Sequence, residues 1–349
     1  MATFTSGPLL SSAPAIASST TTTTTTTLPG TSTTTTTSLP TGSTTTTSTT
    51  VPTATTTTPP LTRKQTLLAW PQMGSGAVSI PQLDVAAASP SDRTQPIASL
   101  TKMMTVWIAL QQFPISGSNR GACETVNAHD VALYQQDVAQ EQSVAKIVLG
   151  QFICERTLLR GIIVHSAGDY AQLLARLTRR STPAFVRLMN SEAKKLGMQH
   201  THYVDETGIS SGDVSTAHDQ VILTENLMMS EPIIRSIAVL KQVWLPVEGV
   251  VGTYTPDLGR NGVVGVKSGY TEAAGGCDAM AIDLRLNHTT LTTYIVVLGQ
   301  QSSSALALSG QVALSLYYSL RPSIAREVTP TGIAIQWIGS SSDLVTPTT

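Results

Sequence analysis

Apolar residues recur with two periods along this chain, and neither sets in before about Leu61. Residues 67–70 and 77–80 are short apolar runs punctuated by Gly74, Gly76 and Pro81, which predicts sheet strands rather than helices. Helical spacing takes over at Leu100, Met103, Met104, Trp107 and Ile108, with Leu110 close by, so Ser99 stands at the mouth of a buried helix. Residues 126–232 are largely helical in pattern. Residues 157–164 and 170–177 are apolar and periodic, and Phe185, Leu188, Met189, Ala193 and Leu196 share a face that Gly197 closes. After Gly275-Gly276, two alternating runs at 277–284 and 289–298, joined by 285–288, predict a hairpin. Residues 303–320 return to helical spacing with Leu306, Leu314 and Tyr318 inward. Strand, helices, strands, helix is the order of an α/β body with a helical lobe inserted between sheet segments.

Composition divides the chain unevenly. Residues 1–61 are Thr runs with Ser and Pro and almost no charge; such a tract cannot bury a core and reads as a disordered spacer, with the composition of O-glycosylated stalks. Residues 62–325 are enough for one large domain, and 326–349 form a tail too short for another and without an amphipathic anchor. A net charge of -1 and a charged fraction of 12% create no field that would hold a polyanion, so nucleic acid is excluded as a partner. No run of apolar residues is long enough to span a bilayer, and Ala15-x-Ala17 resembles a signal cleavage site without a basic leader. Cys123, Cys154 and Cys277 have no C-x-x-C spacing, so no metal is expected; Cys123 and Cys154 read as free thiols, with pairing open to them in an oxidising compartment.

The candidate chemistry starts at Ser99 and Lys102. A serine hydroxyl needs a nearby base to become a nucleophile, and serine and lysine three residues apart on a helix project from one face. The spacing alone is weak, because Ser143-Val-Ala-Lys146 and Ser191-Glu-Ala-Lys194 share it. Only Ser99 has the loop-to-helix setting, where helix N-terminal N–H groups favour negative charge. Lys267-Ser268-Gly269 occurs once, after Gly262-Val-Val-Gly-Val and before the hairpin, on an expected edge strand. There a cation and a hydroxyl can bind a carboxylate, and glycine lets backbones approach closely. Between the two motifs lies Val164-His165-Ser166-Ala167-Gly168-Asp169.

These three segments, in this order, resemble the signatures S-x-x-K, S-x-N and K-[ST]-G of the serine D-alanyl-D-alanine carboxypeptidases, low-molecular-weight penicillin-binding proteins related to serine β-lactamases. The likeness extends to Trp70-Pro71, Pro96-Ile-Ala-Ser-Leu-Thr-Lys-Met-Met-Thr, Met189-Asn190, Leu196-Gly-Met-Gln-His-Thr-His-Tyr, Ser215-Thr-Ala-His-Asp219, Leu245-Pro246 and 265–276, and is closest to the actinobacterial type. It implies a β-lactamase/transpeptidase-like α/β fold, an antiparallel sheet flanked by helices with an inserted helical lobe. It also implies an extracytoplasmic, wall-facing enzyme that removes the terminal D-Ala from peptidoglycan stem peptides, takes β-lactams as covalent inhibitors and uses no cofactor. By that resemblance Ser99 is the nucleophile, Lys102 its base and Ser166 a proton relay to the leaving amine. Lys267 and Ser268 bind the terminal carboxylate, and the backbone N–H groups of Ser99 and Tyr270 form the oxyanion hole.

One position departs from the pattern. Gly168 stands where the family has an asparagine, which removes an amide that would contact the substrate and the active-site lysine; Asp169, next in the chain, is the residue at hand to fill the gap. The departure leaves open a weakened wall-binding relative, and a β-lactamase or esterase on the same scaffold. Other tempting residues have plainer readings. Ser215, His218 and Asp219 are sequence neighbours, whereas triads converge from separate segments, so Asp219 is read as a structural hydrogen-bond partner. His200 and His202 lack a third ligand, His165 is packed or solvent-facing, and Glu272 lacks the surroundings of a deacylating base.

Overall fold

The computed structural model describes residues 66–286, 289–329, 332–333 and 344–345. The expected spacer at 1–61 and most of the tail at 326–349 lie outside the described residues, as do Asn287 and His288 at the hairpin turn. In chain order the strands are β1 (Thr66–Leu67), β2 (Ser75–Ile80), β3 (Val85–Ala88), β4 (Gln95–Pro96), β5 (Cys123–Thr125), β6 (Phe152–Cys154), β7 (Val214–Ser215), β8 (Gln242–Leu245), β9 (Gly249–Gly252), β10 (Val263–Thr271), β11 (Gly275–Leu286) and β12 (Thr289–Gln300), followed by the two-residue strands β13 (Val328–Thr329), β14 (Gly332–Ile333) and β15 (Leu344–Val345). The helices are α1 (Thr101–Gln112), α2 (Ala128–Ala139), α3 (Glu155–His165), α4 (Gly168–Arg179), α5 (Thr182–Lys195), α6 (Ala217–Ser230), α7 (Pro232–Ala238) and α8 (Ala305–Glu327).

A five-stranded antiparallel sheet in the order β10-β11-β12-β2-β3 carries the fold, with β10 at one edge. Both faces of the sheet are covered, which is why β11 and β12 are buried almost end to end. Alternate residues serve different cores, as the two-residue period of a strand demands. Ala279, Ala281, Tyr294, Val296 and Leu298 join the core that runs into the helical lobe, while Met280, Ile282, Ile295 and Val297 pack with α8. Helices α1 to α7 lie between the amino-terminal and carboxy-terminal sheet strands in sequence, as the order of periods predicts.

Local signals account for several boundaries. Asn127 and Asp130 form a reciprocal capping box at the start of α2. At the end of α5, Gly197 (φ 83) donates to the Lys194 carbonyl and Met198 to that of Ala193, satisfying carbonyls that the helix leaves open.

Three expectations change. The apolar run at 67–70 is strand only at its first residue; Trp70 N–H turns back to the Leu68 carbonyl before Pro71, which has no N–H to continue a ladder. Tyr318 faces solvent, because the inward seam of α8 runs through Ala313, Leu316, Tyr317, Leu320 and Ile324. Leu314 is buried as expected and Leu306 is half-buried. Cys123 and Cys154 are joined in a disulfide, since the short β5–β6 ladder sets them directly opposite one another, and Cys277 is a buried free thiol.

Candidate active site

The turn that carries Ser99 is built from both sides. A 3-10 turn at Ala98–Leu100 leads into α1, with Ala98 left-handed at φ 49, so the chain kinks immediately before Ser99. Ile97, Leu100, Met103 and Met104 are fully buried beneath it and anchor the turn. On one side Gly208 passes so close to Ala98 that any side chain there would strike the Ala98 carbonyl. On the other, a Cβ on Gly269 would stand 2.7 Å from the Ser99 backbone nitrogen. The glycine of Lys267-Ser268-Gly269 is therefore what lets edge strand β10 lie against the serine turn.

Lys102 occupies the first turn of α1 and is 2% exposed. Its Nζ donates to Ser99 Oγ at 3.0 Å and to the Thr207 carbonyl at 2.6 Å. Burial lowers its pKa to about 8, against the opposing pull of Asp205, Asp137, Asp169 and Asp213. A buried lysine with a pKa near neutrality is able to accept the serine proton.

The second serine is set differently. Ser166 caps the carboxyl end of α3 in the left-handed conformation (φ 60, ψ 22), which turns its hydroxyl away from the helix and toward β10. Lys267 Nζ donates to Ser166 Oγ at 2.9 Å and to the Ser268 carbonyl at 2.6 Å. Lys267 is 1% exposed, whereas a lysine on an edge strand is ordinarily solvated. Burial and then the Lys102 charge hold its pKa well below the usual lysine value, and Asp278 opposes them. Ser268 Oγ donates to the Tyr254 carbonyl at 2.8 Å, and Tyr254 stacks on His165 with ring centroids 5.1 Å apart. His165 is thus packed against the wall that holds Ser268.

Ser99, Lys102, Ser166, Ser268, Tyr270 and Leu306 line one cleft of about 210 Å³. Five of the six residues singled out in the sequence border it, and Lys267 reaches it through Ser166. Tyr270 is half exposed at its rim. Of the competing S-x-x-K segments, Ser191 lies on the exposed side of α5, and Ser143 also lines the cleft, where its carbonyl accepts from Gly168 N–H at 2.7 Å. Lys146 is exposed.

Asp169 does not fill the space above Gly168. Its Oδ1 accepts from Ala145 N–H at 2.9 Å, and burial raises its pKa to about 8. The helix start sends residue 169 toward the core, one position round from residue 168. Asp219 is structural as expected, accepting from His200 N–H at 2.7 Å and Thr201 Oγ1 at 2.8 Å, and none of Ser215, His218 and Asp219 lines the cleft. His200, His202 and Glu272 are exposed.

Sequence reasoning missed the loop under Lys102. Asp205 accepts N–H bonds from Thr207 at 2.6 Å, Gly208 at 2.6 Å and Ser210 at 2.8 Å, and so holds the Thr207 carbonyl in place for Lys102. The run Asp205-Glu-Thr-Gly208 is a recognisable side-chain-capped turn that could have pointed to it. Several flanking matches likewise have structural work: Asn190 clamps the Tyr203 backbone through bonds of 2.7 and 3.0 Å.

Residues 84–301 match the family model described as D-alanyl-D-alanine carboxypeptidase. The chain is similar to the D-alanyl-D-alanine endopeptidase of Escherichia coli, 28% identical over 238 residues, covering 63% of this chain and 70% of that one. It is likewise 28% identical over 200 residues to the D-alanyl-D-alanine carboxypeptidase DacA of the same organism, covering 55% of this chain but 48% of DacA. Among solved structures, a Streptomyces DD-transpeptidase superposes with a TM-score of 0.61 at 23% identity, over 72% of this chain and 99% of that one. That likeness bears out the transpeptidase-like fold.

Proposed function

The chain belongs to the D-alanyl-D-alanine carboxypeptidase family, and from that premise we propose that it is a serine D,D-carboxypeptidase acting on peptidoglycan stem peptides that end in D-Ala-D-Ala. The observation that carries this reading is the pair of Ser–Lys hydrogen bonds, Lys102 to Ser99 and Lys267 to Ser166, at one cleft. Ser99 Oγ attacks the carbonyl carbon of the scissile peptide bond while Lys102 takes its proton. Negative charge on the carbonyl oxygen is met by the Ser99 and Tyr270 backbone N–H groups. The tetrahedral species collapses to an ester on Ser99, and the departing D-Ala amine receives a proton through Ser166, which Lys267 holds. Lys267 supplies positive charge for the substrate carboxylate, and Ser268 joins it by exchanging its bond to the Tyr254 carbonyl for one to the carboxylate. Water then hydrolyses the ester.

The Cys123–Cys154 disulfide supports a wall-facing, oxidising location. The absence of a side chain at Gly168 favours slow turnover on this same scaffold as the second reading. Intact-mass measurement after incubation with benzylpenicillin should show a single covalent adduct that peptide mapping assigns to Ser99 and that Ser99→Ala abolishes. No adduct, or one that survives in Ser99→Ala, overturns the assignment of the nucleophile. Release of D-Ala from a D-Ala-D-Ala peptide separates the carboxypeptidase from the slow-turnover reading.

A further inference from the structure

Another acid faces the active-site lysine from α2, a helix that carries none of the signature segments. Asp137 lies in the last turn of α2 and is 4% exposed, yet its Oδ2 has no hydrogen-bond partner among the described residues. A buried carboxylate oxygen left without a donor carries a large desolvation penalty, so its place calls for an explanation. That place is specific: a Cβ on Gly168 would stand 3.6 Å from Asp137 Oδ2 and 3.5 Å from the Ser143 carbonyl, ordinary contact distances. The room above Gly168 is therefore open enough for a side chain, and the group that faces it is the Asp137 carboxyl. The chain from Glu141 to Ser143, just beyond α2, lines the same cleft as Ser99 and Lys102.

We propose that Asp137 is a positioning residue of the acyl-transfer site, its carboxyl serving from α2 as the polar group that position 168 lacks and as a negative charge on the Lys102 side of the cleft. The inference rests on the reading of Ser99 and Lys102 as nucleophile and base. The charged groups around Lys102 are Asp137 from α2, Asp169 from α4, Asp205, Glu206 and Asp213 from the loop before α6, and Lys267 from β10. Asp205 and Asp213 have oxygens engaged by backbone N–H groups, and Asp169 is bound to Ala145. Asp169 Oδ2, Asp213 Oδ2 and Glu206 Oε2 also lack a partner among the described residues, and what sets Asp137 apart is that its unpartnered oxygen lies beside Gly168. Its own carboxyl is pushed above the usual range by burial, against the pull of Lys102 and the Gln172 side chain, with Asp205 adding to the upward push.

The sign of the effect separates this role from a structural one. Removing a negative charge near Lys102 makes its ammonium less favourable, so Asp137→Asn lowers the pKa of Lys102. Loosening the site and admitting water would instead return that pKa toward 10.5. The experiment is the pH dependence of the benzylpenicillin acylation rate for wild type, Asp137→Asn, Gly168→Asn and the double variant, with thermal melting as the check on folding. In Asp137→Asn the rising limb should move down by about half a unit to one unit, and the limiting rate should fall about tenfold. In the Gly168→Asn background, where an amide occupies the open space, the same substitution should cost less than about threefold. A limb that stays put or moves up, or an equal loss in both backgrounds, overturns the proposal. Failure of wild type to acylate overturns the underlying reading instead.

Discussion

The molecule makes the same serine–lysine contact twice, by different means. Ser99 and Lys102 are three residues apart, and one helical turn brings Nζ to 3.0 Å from Oγ. Ser166 and Lys267 are 101 residues apart, and a left-handed helix cap and an edge strand must meet to bring theirs to 2.9 Å. In each pair the lysine spends a second hydrogen bond on a backbone carbonyl, of Thr207 or of Ser268. The surroundings differ in charge. Four aspartates pull Lys102 toward its charged form and leave it at about 8, whereas Lys267 has Asp278 alone and the Lys102 cation against it. Lys102 is thus held close to the range of proton exchange, while burial disfavours the Lys267 ammonium, which on the proposed reading regains its charge when a substrate carboxylate comes to lie beside it.

Substitutions test that division, and the largest effect belongs to the local pair. Lys102→Met removes the proposed base, and acylation measured by stopped-flow with a chromogenic cephalosporin should fall about ten-thousandfold. A loss under tenfold would hand the base role to Lys267. The same variant has a thermodynamic signature. Because the folded state depresses the Lys102 pKa from 10.5 to about 8, the unfolded chain binds more protons between those values. Burying the ammonium therefore costs stability below pH 8, and wild type should gain on Lys102→Met, in denaturant melts, as pH rises from 8 to 10.5.

Lys267→Met should lower acylation about a thousandfold, in line with loss of a preorganised electrostatic contact. It should also remove the preference for substrates with a free carboxylate; a retained preference would move anion binding elsewhere in the cleft. Next in size is Gly269→Ala. Its Cβ would press on the Ser99 nitrogen at 2.7 Å, so β10 and the serine turn must part, with an expected loss of about a hundredfold. An unchanged rate would show that the two pairs tolerate independent movement. The smallest effect on rate is expected for Cys123→Ser with Cys154→Ser. A crosslink closing a separation of 31 residues is worth about 3 to 4 kcal/mol of stability, read as a fall in melting temperature, while acylation should change less than about twofold.

Much of this arrangement is legible in the sequence. The helix behind Ser99, the lobe inserted between sheet segments and the β11–β12 hairpin follow from periods of 3.6 and 2, which are local properties of the chain. The disulfide was not legible, because pairing depends on which strands of a small hairpin face one another. Nor was the outward turn of Tyr318, where one step along α8 decides between core and solvent. Asp137 carries no local mark at all: it is one acid on a polar-faced helix, and only folding places its oxygen beside Gly168.

By itself, the sequence determined what each half of the site is made of, and it determined the geometry of Ser99 with Lys102, because a helix turn converts a spacing of three into a contact. Tertiary structure alone decided that Lys267 is buried rather than solvated, that it meets Ser166 rather than water, and that Asp137 rather than Asp169 faces the space over Gly168. The physical reason is range. Hydrogen bonding within a turn is settled by neighbours, whereas desolvation and charge coupling depend on every element packed against a group.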